Sequence, residues 1–254
     1  DAAHGVVKTW YQVLPGDFHD WDVGAAPALI TTSAGKHLVS IAGKDGHLYG
    51  YERDSRARVY ATEVTTVENA TAPFTPGGTH FCPGIQGGVE WNGPSFSAKT
   101  NLLYVNSIDW CSTVKIVPAS KLEGRRGLPW TGSAELTKPF GAFDKTSKGW
   151  LTAVDAEDGK VKWRYASSTP LVAAVTSTAG GLVFTGDLKG SVFAFNAETG
   201  AELWRHEVGQ PIGGGVITYA VNGKQYVAVA VGMHSPKAWL VEGGQARVVV
   251  FGLP

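Results

Sequence analysis

Neither sign of charge is in excess in this chain of 254 residues: 22 basic side chains face 22 acidic ones, and only 17% of residues are charged. Without a basic surplus to neutralise phosphates, a nucleic-acid partner is not expected. Apolar runs are short. None approaches the roughly 20 residues that cross a bilayer, so no membrane span is expected. No long segment has a 3.6-residue period with caps, so helix content should be low. Cysteine is scarce, with Cys82 and Cys111 the only two. No His/Cys set has zinc spacing, and no Cys-x-x-Cys-His attaches a haem. The cysteines are either two buried thiols or a disulfide, and a disulfide would imply an oxidising compartment. The chain opens Asp1-Ala-Ala-His-Gly5 without a leader pattern, as a processed N-terminus or a fragment would.

Glycine and tryptophan are plentiful, at 33 and 9 residues. Their placement is periodic. Ala153-Val-Asp-Ala-Glu-Asp-Gly-Lys-Val-Lys-Trp163 and Ala194-Phe-Asn-Ala-Glu-Thr-Gly-Ala-Glu-Leu-Trp204 are near copies. Each reads as a strand, a tight Asx/Gly turn and a second strand ending in tryptophan. One hairpin per unit of roughly 40 residues marks a repeat architecture. Four-stranded units at this period are blades of a β-propeller, and a blade needs a neighbour on each side to bury both faces.

Strand-like segments support four such units, at about 6–60, 87–168 with a long insertion, 171–209 and 212–252. Leu38–Ala42 and His47–Tyr51 flank a Gly43-Lys-Asp-Gly46 turn. Leu182–Thr185 and Ser191–Phe195 flank Gly186–Gly190. The Asn222-Gly223 pair predicts a hairpin. In the first unit Trp10 follows Gly5, and Asp54-Ser-Arg-Ala-Arg-Val-Tyr60 is a degenerate echo with tyrosine in place of tryptophan. Residues 61–86 and 112–149 read as long loops, which in a compact domain are either functional or solvated decoration.

The tryptophan hairpin resembles the docking motif of pyrroloquinoline-quinone (PQQ) dehydrogenases. Further segments resemble the C-terminal half of that family: Trp10-Tyr-Gln12 with His19-Asp-Trp-Asp22, Ala42-Gly-Lys-Asp-Gly46, Gly88-Val-Glu-Trp-Asn-Gly-Pro-Ser95 with Leu103-Tyr-Val-Asn106, and Pro211-Ile-Gly-Gly-Gly-Val216. The resemblance covers essentially the whole chain. It implies an all-β, eight-bladed propeller of which about four blades are present. It also implies PQQ as cofactor, a Ca²⁺ or lanthanide ion, and oxidation of a primary alcohol by hydride transfer. A periplasmic or secreted location and a separate cytochrome c as electron acceptor follow from the same resemblance. It places the metal carboxylates and the catalytic base before the segment that resembles Asp1 onward. This chain would then hold no catalytic residue and no metal ligand, and would be inactive alone.

The cofactor-binding candidates are Lys44, Asn92 and Trp91. An ammonium on a hairpin turn can stabilise negative charge growing on quinone oxygens. An amide at Asn92 can donate to a quinone oxygen or a carboxylate, although a strand-end asparagine often bonds its own backbone. Trp91 is read as packing at least as readily as a cofactor contact. Asp20 and Asp22 share one face if their segment is a strand, and are read as structural. Leu171 stands where some family members place an aromatic residue. A four-blade arc leaves two apolar blade faces open, to be covered by an N-terminal half of the propeller or by a second copy. The alternative is a non-catalytic propeller serving as a protein-binding scaffold.

Overall fold

The computed structural model describes residues 1–7, 10–121, 124, 126–127 and 142–252. Its strands in chain order are β1 (Ala28–Thr31), β2 (His37–Ala42), β3 (His47–Glu52), β4 (Arg58–Glu63), β5 (Thr79–Phe81), β6 (Ser95–Ser97) and β7 (Leu102–Asp109). There follow β8 (Ser112–Val114), β9 (Ala142–Phe143), β10 (Lys148–Asp155), β11 (Val161–Ser167), β12 (Thr176–Ser177) and β13 (Leu182–Gly186). The last are β14 (Ser191–Asn196), β15 (Glu202–Glu207), β16 (Val216–Val221), β17 (Lys224–Val231) and β18 (Arg247–Gly252). One 3₁₀ turn, Ala119–Lys121, is the only helical element among the described residues, and none is long and apolar enough to cross a membrane.

Three antiparallel sheets have four strands: β1-β2-β3-β4, β6-β7-β10-β11 and β12-β13-β14-β15. A fourth, β16-β17-β18, has three. The first strands of successive sheets lie beside one another, β1 by β6, β6 by β12 and β12 by β16. This is the arrangement of propeller blades, with short first strands inward and longer strands outward. The first sheet begins at Ala28, so residues 6–7 and 10–27, expected inside the first unit, lie outside it. Trp10 is exposed rather than docked. The expected loops at 61–86 and 112–149 contribute a small extra sheet, β5-β8-β9. Much of the second loop lies outside the described residues.

Alternation along each strand divides apolar residues between two neighbouring sheets. Leu48 and Tyr60 of the first sheet, with Val64 just beyond it, pack with Leu103, Val105 and Val154 of the second. Leu151 and Ala153 of the second pack with Val183, Phe193 and Phe195 of the third. Val227, Val229 and Val231 face back to Val192 and Ala194. The opposite face of the last sheet has no neighbour among the described residues, leaving Ile217, Tyr219, Val248 and Val250 exposed.

Each interlock repeats one local design. In the third sheet Asn196 Oδ1 accepts the N–H groups of Glu198 and Thr199, both at 2.9 Å, and Gly200 takes φ +72° to close the turn. In the second, Asp155 Oδ1 accepts Glu157 N–H at 2.9 Å and Gly159 takes φ +76°. The aromatic residue of one sheet lies on the turn glycine of the next. A Cβ on Gly200 would sit 2.6 Å from the Trp163 ring, and one on Gly159 2.5 Å from Tyr60. Trp163 Nε1 also donates to Ala197 O at 3.1 Å. Tyr60 thus takes the docking place that tryptophan holds elsewhere, while the first sheet's own turn puts Arg56, not glycine, at φ 64°.

Gly200→Ala should destabilise the protein by about 2 kcal/mol, since the new methyl meets both a left-handed backbone and the Trp163 ring. Gly223→Ala, at φ +76° with nothing within 4 Å, is the control and should cost about 1 kcal/mol. Denaturant melts of the two variants would measure the interlock; equal losses would mean that the tryptophan contact contributes nothing.

Candidate functional site

Lys44 projects from the β2–β3 turn and is held from two sides. Its backbone N–H donates to Asp22 O at 3.4 Å, and its carbonyl accepts Gly88 N–H at 2.6 Å. Gly88 O in turn accepts Ile108 N–H at 2.8 Å, so three chain segments lie side by side beneath the lysine. Such close approach requires glycine. A Cβ on Gly87 would lie 2.4 Å from Lys44 Cβ, and one on Gly88 would lie 2.4 Å from Gly46 Cα. A disulfide joins Cys82 to Cys111 and ties this Gly-rich segment to the start of the insertion, where Gly84 N–H donates to Trp110 O at 2.8 Å. The two-way reading of the cysteines is thereby closed in favour of the bridge.

The segment carrying Asp20 and Asp22 is not a strand. Asp17 shapes it by accepting His19 N–H at 3.1 Å and Trp21 N–H at 2.8 Å. The buried Trp21 ring stacks on His19, and its Nε1 donates to Gly84 O at 3.2 Å. Both aspartates therefore turn toward Lys44. The Nζ lies 2.6 Å from Asp22 Oδ1, 3.7 Å from Asp20 Oδ2 and 4.0 Å from Glu90 Oε1. Lys44 and Glu90 are largely enclosed, with side chains 12% and 14% exposed, whereas Asp20 and Asp22 are open at 78% and 59%.

One ammonium thus faces three carboxylates. Burial opposes charge on Lys44, but the bond to Asp22 and the fields of Glu90, Asp20 and Asp22 outweigh it, and its pKa is raised. Burial pushes Glu90 up to about 7; Lys44 pulls it down while Asp22 and Asp20 push further upward. Glu90 therefore changes charge near neutrality.

Of the three cofactor-binding candidates, Lys44 alone presents a charged group here. Asn92 donates its Nδ2 to Val172 O, and Trp91 donates Nε1 to Gly213 O at 2.9 Å. Trp91 also meets the Trp239 ring edge-on at 5.7 Å. Both side chains tie the Gly-rich segment to the backbone leading into the third and fourth sheets. Asn106 does the same one strand outward, donating to Ala173 O and Thr185 Oγ1 at 2.8 and 2.6 Å. Leu171 is buried in the core between the second and third sheets. Glu90 and the aspartates as lysine partners were not anticipated. The signal for Glu90 was a lone carboxylate in an otherwise uncharged run, Gly87-Gly-Val-Glu-Trp91, beside a glycine pair.

Two family models match parts of the chain: "Glucose/ethanol/alcohol dehydrogenase, beta-propeller domain" over residues 53–142 and "Outer membrane protein assembly factor BamB" over 147–244. The quinoprotein alcohol dehydrogenase PedH of Pseudomonas putida is 27% identical over 90% of this chain and 41% of its own length. The quinoprotein ethanol dehydrogenase of Pseudomonas aeruginosa is 30% identical over 91% of this chain and 41% of its length. A solved europium-containing methanol dehydrogenase superposes with a TM-score of 0.78 at 26% identity, covering 96% of this chain and 50% of that one. The resemblance to PQQ dehydrogenases and the propeller fold are borne out along the chain, which spans about 41% of the length of these curated relatives.

Between the ordinary glutamate value and about 7, the folded state holds a proton on Glu90 that the unfolded chain has released. Stability contributed by that proton is present at low pH and is lost as pH rises through this window. Glu90→Gln should therefore leave melting unchanged or slightly lower at pH 5. At pH 8 it should stabilise the protein, by at most about 3 kcal/mol. Thermal melts at both pH values test this, and a variant equally shifted at both would contradict it.

Proposed function

We propose that this chain, similar over nine-tenths of its length to quinoprotein alcohol dehydrogenases, supplies part of the cofactor site of a PQQ-dependent dehydrogenase that oxidises a primary alcohol or a related alcohol or aldehyde. The observation that supports this most is the enclosed Lys44 ammonium with carboxylates at 2.6, 3.7 and 4.0 Å. PQQ, when bound, supplies an electrophilic carbonyl that accepts hydride. The residues fit its ortho-quinone edge, because Lys44 is a fixed donor with an open rim. They do not offer cations for its carboxylates; those contacts belong to the remainder of the ring. The Ca²⁺ or lanthanide ion and its ligands are likewise assigned to the part of the protein outside this chain, so the chain alone would be inactive.

Lys44 would hold and polarise the quinone oxygens. A base must lie within hydrogen-bond reach of the alcohol held beside them. The resemblance put that base outside the chain, but the geometry favours one within it. Asp22 is the carboxylate bonded to Lys44 and is open to solvent. It is suited to take the hydroxyl proton on a carboxylate oxygen while Lys44 keeps it oriented. Asn92 and Trp91 would act one step back, fixing the segment that carries Glu90.

The exposed face of the last sheet and the partly covered outer face of the first would be closed by the missing blades, from an N-terminal portion of the propeller or a second copy. A periplasmic or secreted site suits the Cys82–Cys111 bridge. A separate cytochrome c would accept the electrons. The match of residues 147–244 to the BamB model favours a second reading, a binding scaffold without chemistry; such a protein would have no affinity for PQQ.

In the complete enzyme, Asp22→Asn should retain the bound-quinone spectrum and lower dye-linked alcohol oxidation by about 100-fold or more. Lys44→Ala should weaken PQQ binding itself. Unchanged binding in Lys44→Ala together with unchanged turnover in Asp22→Asn would remove these assignments.

A further inference from the structure

Glu90 is the most enclosed of the three carboxylates around Lys44, yet it stands farthest from the ammonium, at 4.0 Å. The distance is fixed by backbone rather than by side-chain choice. Gly88, two residues before Glu90, is hydrogen-bonded to Lys44 O and Ile108 N–H. One residue after it, Trp91 is anchored on Gly213 O, and Asn92 on Val172 O. The segment carrying Glu90 is thus held on both sides, and its side chain is 14% exposed against 59% for Asp22 and 78% for Asp20. The titratable groups that face it are Lys44 from the β2–β3 turn and Asp22 and Asp20 from the N-terminal segment. With Glu90 neutral, these three carry one net negative charge. With Glu90 ionised, the cluster carries two.

An anionic ligand at Lys44 meets this difference directly. A second uncompensated negative charge in a largely enclosed site repels it, and the same carboxylate competes for the ammonium. We propose that Glu90 is a proton-coupled specificity residue of the Lys44 site: it takes up a proton when an anionic quinone binds and releases it when the quinone leaves. This rests on reading Lys44 as a cofactor contact. The proton comes from solvent and ends on a Glu90 carboxyl oxygen; no bond of the ligand is made or broken. Binding coupling is reciprocal, so the ligand must raise the proton affinity of Glu90 by the factor by which the proton raises that of the ligand. The titration of Glu90 near neutrality is consistent with this geometry.

The test is calorimetric titration of the complete protein with PQQ at pH 7 in two buffers of different ionisation enthalpy, with affinities also measured from pH 6 to pH 8. Wild type should take up a substantial fraction of one proton per PQQ bound. Its affinity should fall by about tenfold across the pH range. Glu90→Gln should bind PQQ with no proton uptake beyond that of free PQQ and with a nearly flat profile, and Glu90→Asp should restore part of the coupling. The carbonyl band of a protonated carboxylic acid in the infrared spectrum at pH 6, missing in Glu90→Gln, would identify the group. Equal proton uptake in wild type and Glu90→Gln would overturn the proposal while leaving the cofactor reading intact. Absence of PQQ binding at every pH would overturn both.

Discussion

The contact on which this architecture depends is an aromatic ring of one sheet lying on the turn glycine of the next. It links two kinds of constraint that are usually separate. The glycine is needed for its left-handed backbone, which closes the hairpin, and again for its missing Cβ, which lets Trp163 or Tyr60 lie flat on the turn. A tight turn and a sheet-to-sheet contact are thereby made by one residue. The rotation between blades follows from local hairpin geometry, and the inner strands are brought together without a long-range connection. Residues 44, 90 and 22, from separate segments, meet within 4.0 Å at one end of the sheets so indexed.

The Lys44 cluster is built in a different manner. Its geometry comes from three backbone segments laid side by side, with Gly87 and Gly88 allowing a closeness no other residue permits. A buried ion pair is weak evidence for stability, because desolvation offsets much of the attraction. Here the mismatch of one ammonium with three carboxylates leaves Glu90 with too little compensation. Stability alone is a poor explanation of such an arrangement.

How much of this could be read beforehand differs between fold and site. The docking hairpins were legible because their chemistry is local: Asx, glycine and tryptophan act within eleven residues, and the spacing survives in both copies. The first sheet's version was legible only as a degenerate echo over residues 54–60, since an arginine holds its left-handed turn and tyrosine replaces the docking ring. The first strand of the first sheet begins at Ala28, later than the expected unit, and an aromatic residue ahead of it still meets the sheet, as Tyr11 does Tyr51. Lys44 drew notice from its turn, and the structure encloses it. Glu90 was not legible, because its importance lies in which carboxylates the fold gathers around one ammonium, and no spacing along the chain encodes that. Asn92 and Trp91 carried the right address but bind backbone carbonyls with their donors.

The bridge between Cys82 and Cys111 sits at the root of the Gly84–Glu90 segment. Closing that loop removes much of the freedom the segment would otherwise have in the unfolded chain. The approach of Gly88 to Lys44, and with it the seat of Glu90, is therefore set partly by sulfur chemistry between two residues 29 apart in the chain. A local backbone arrangement at one end of the sheets is in this way tied covalently to the start of an insertion.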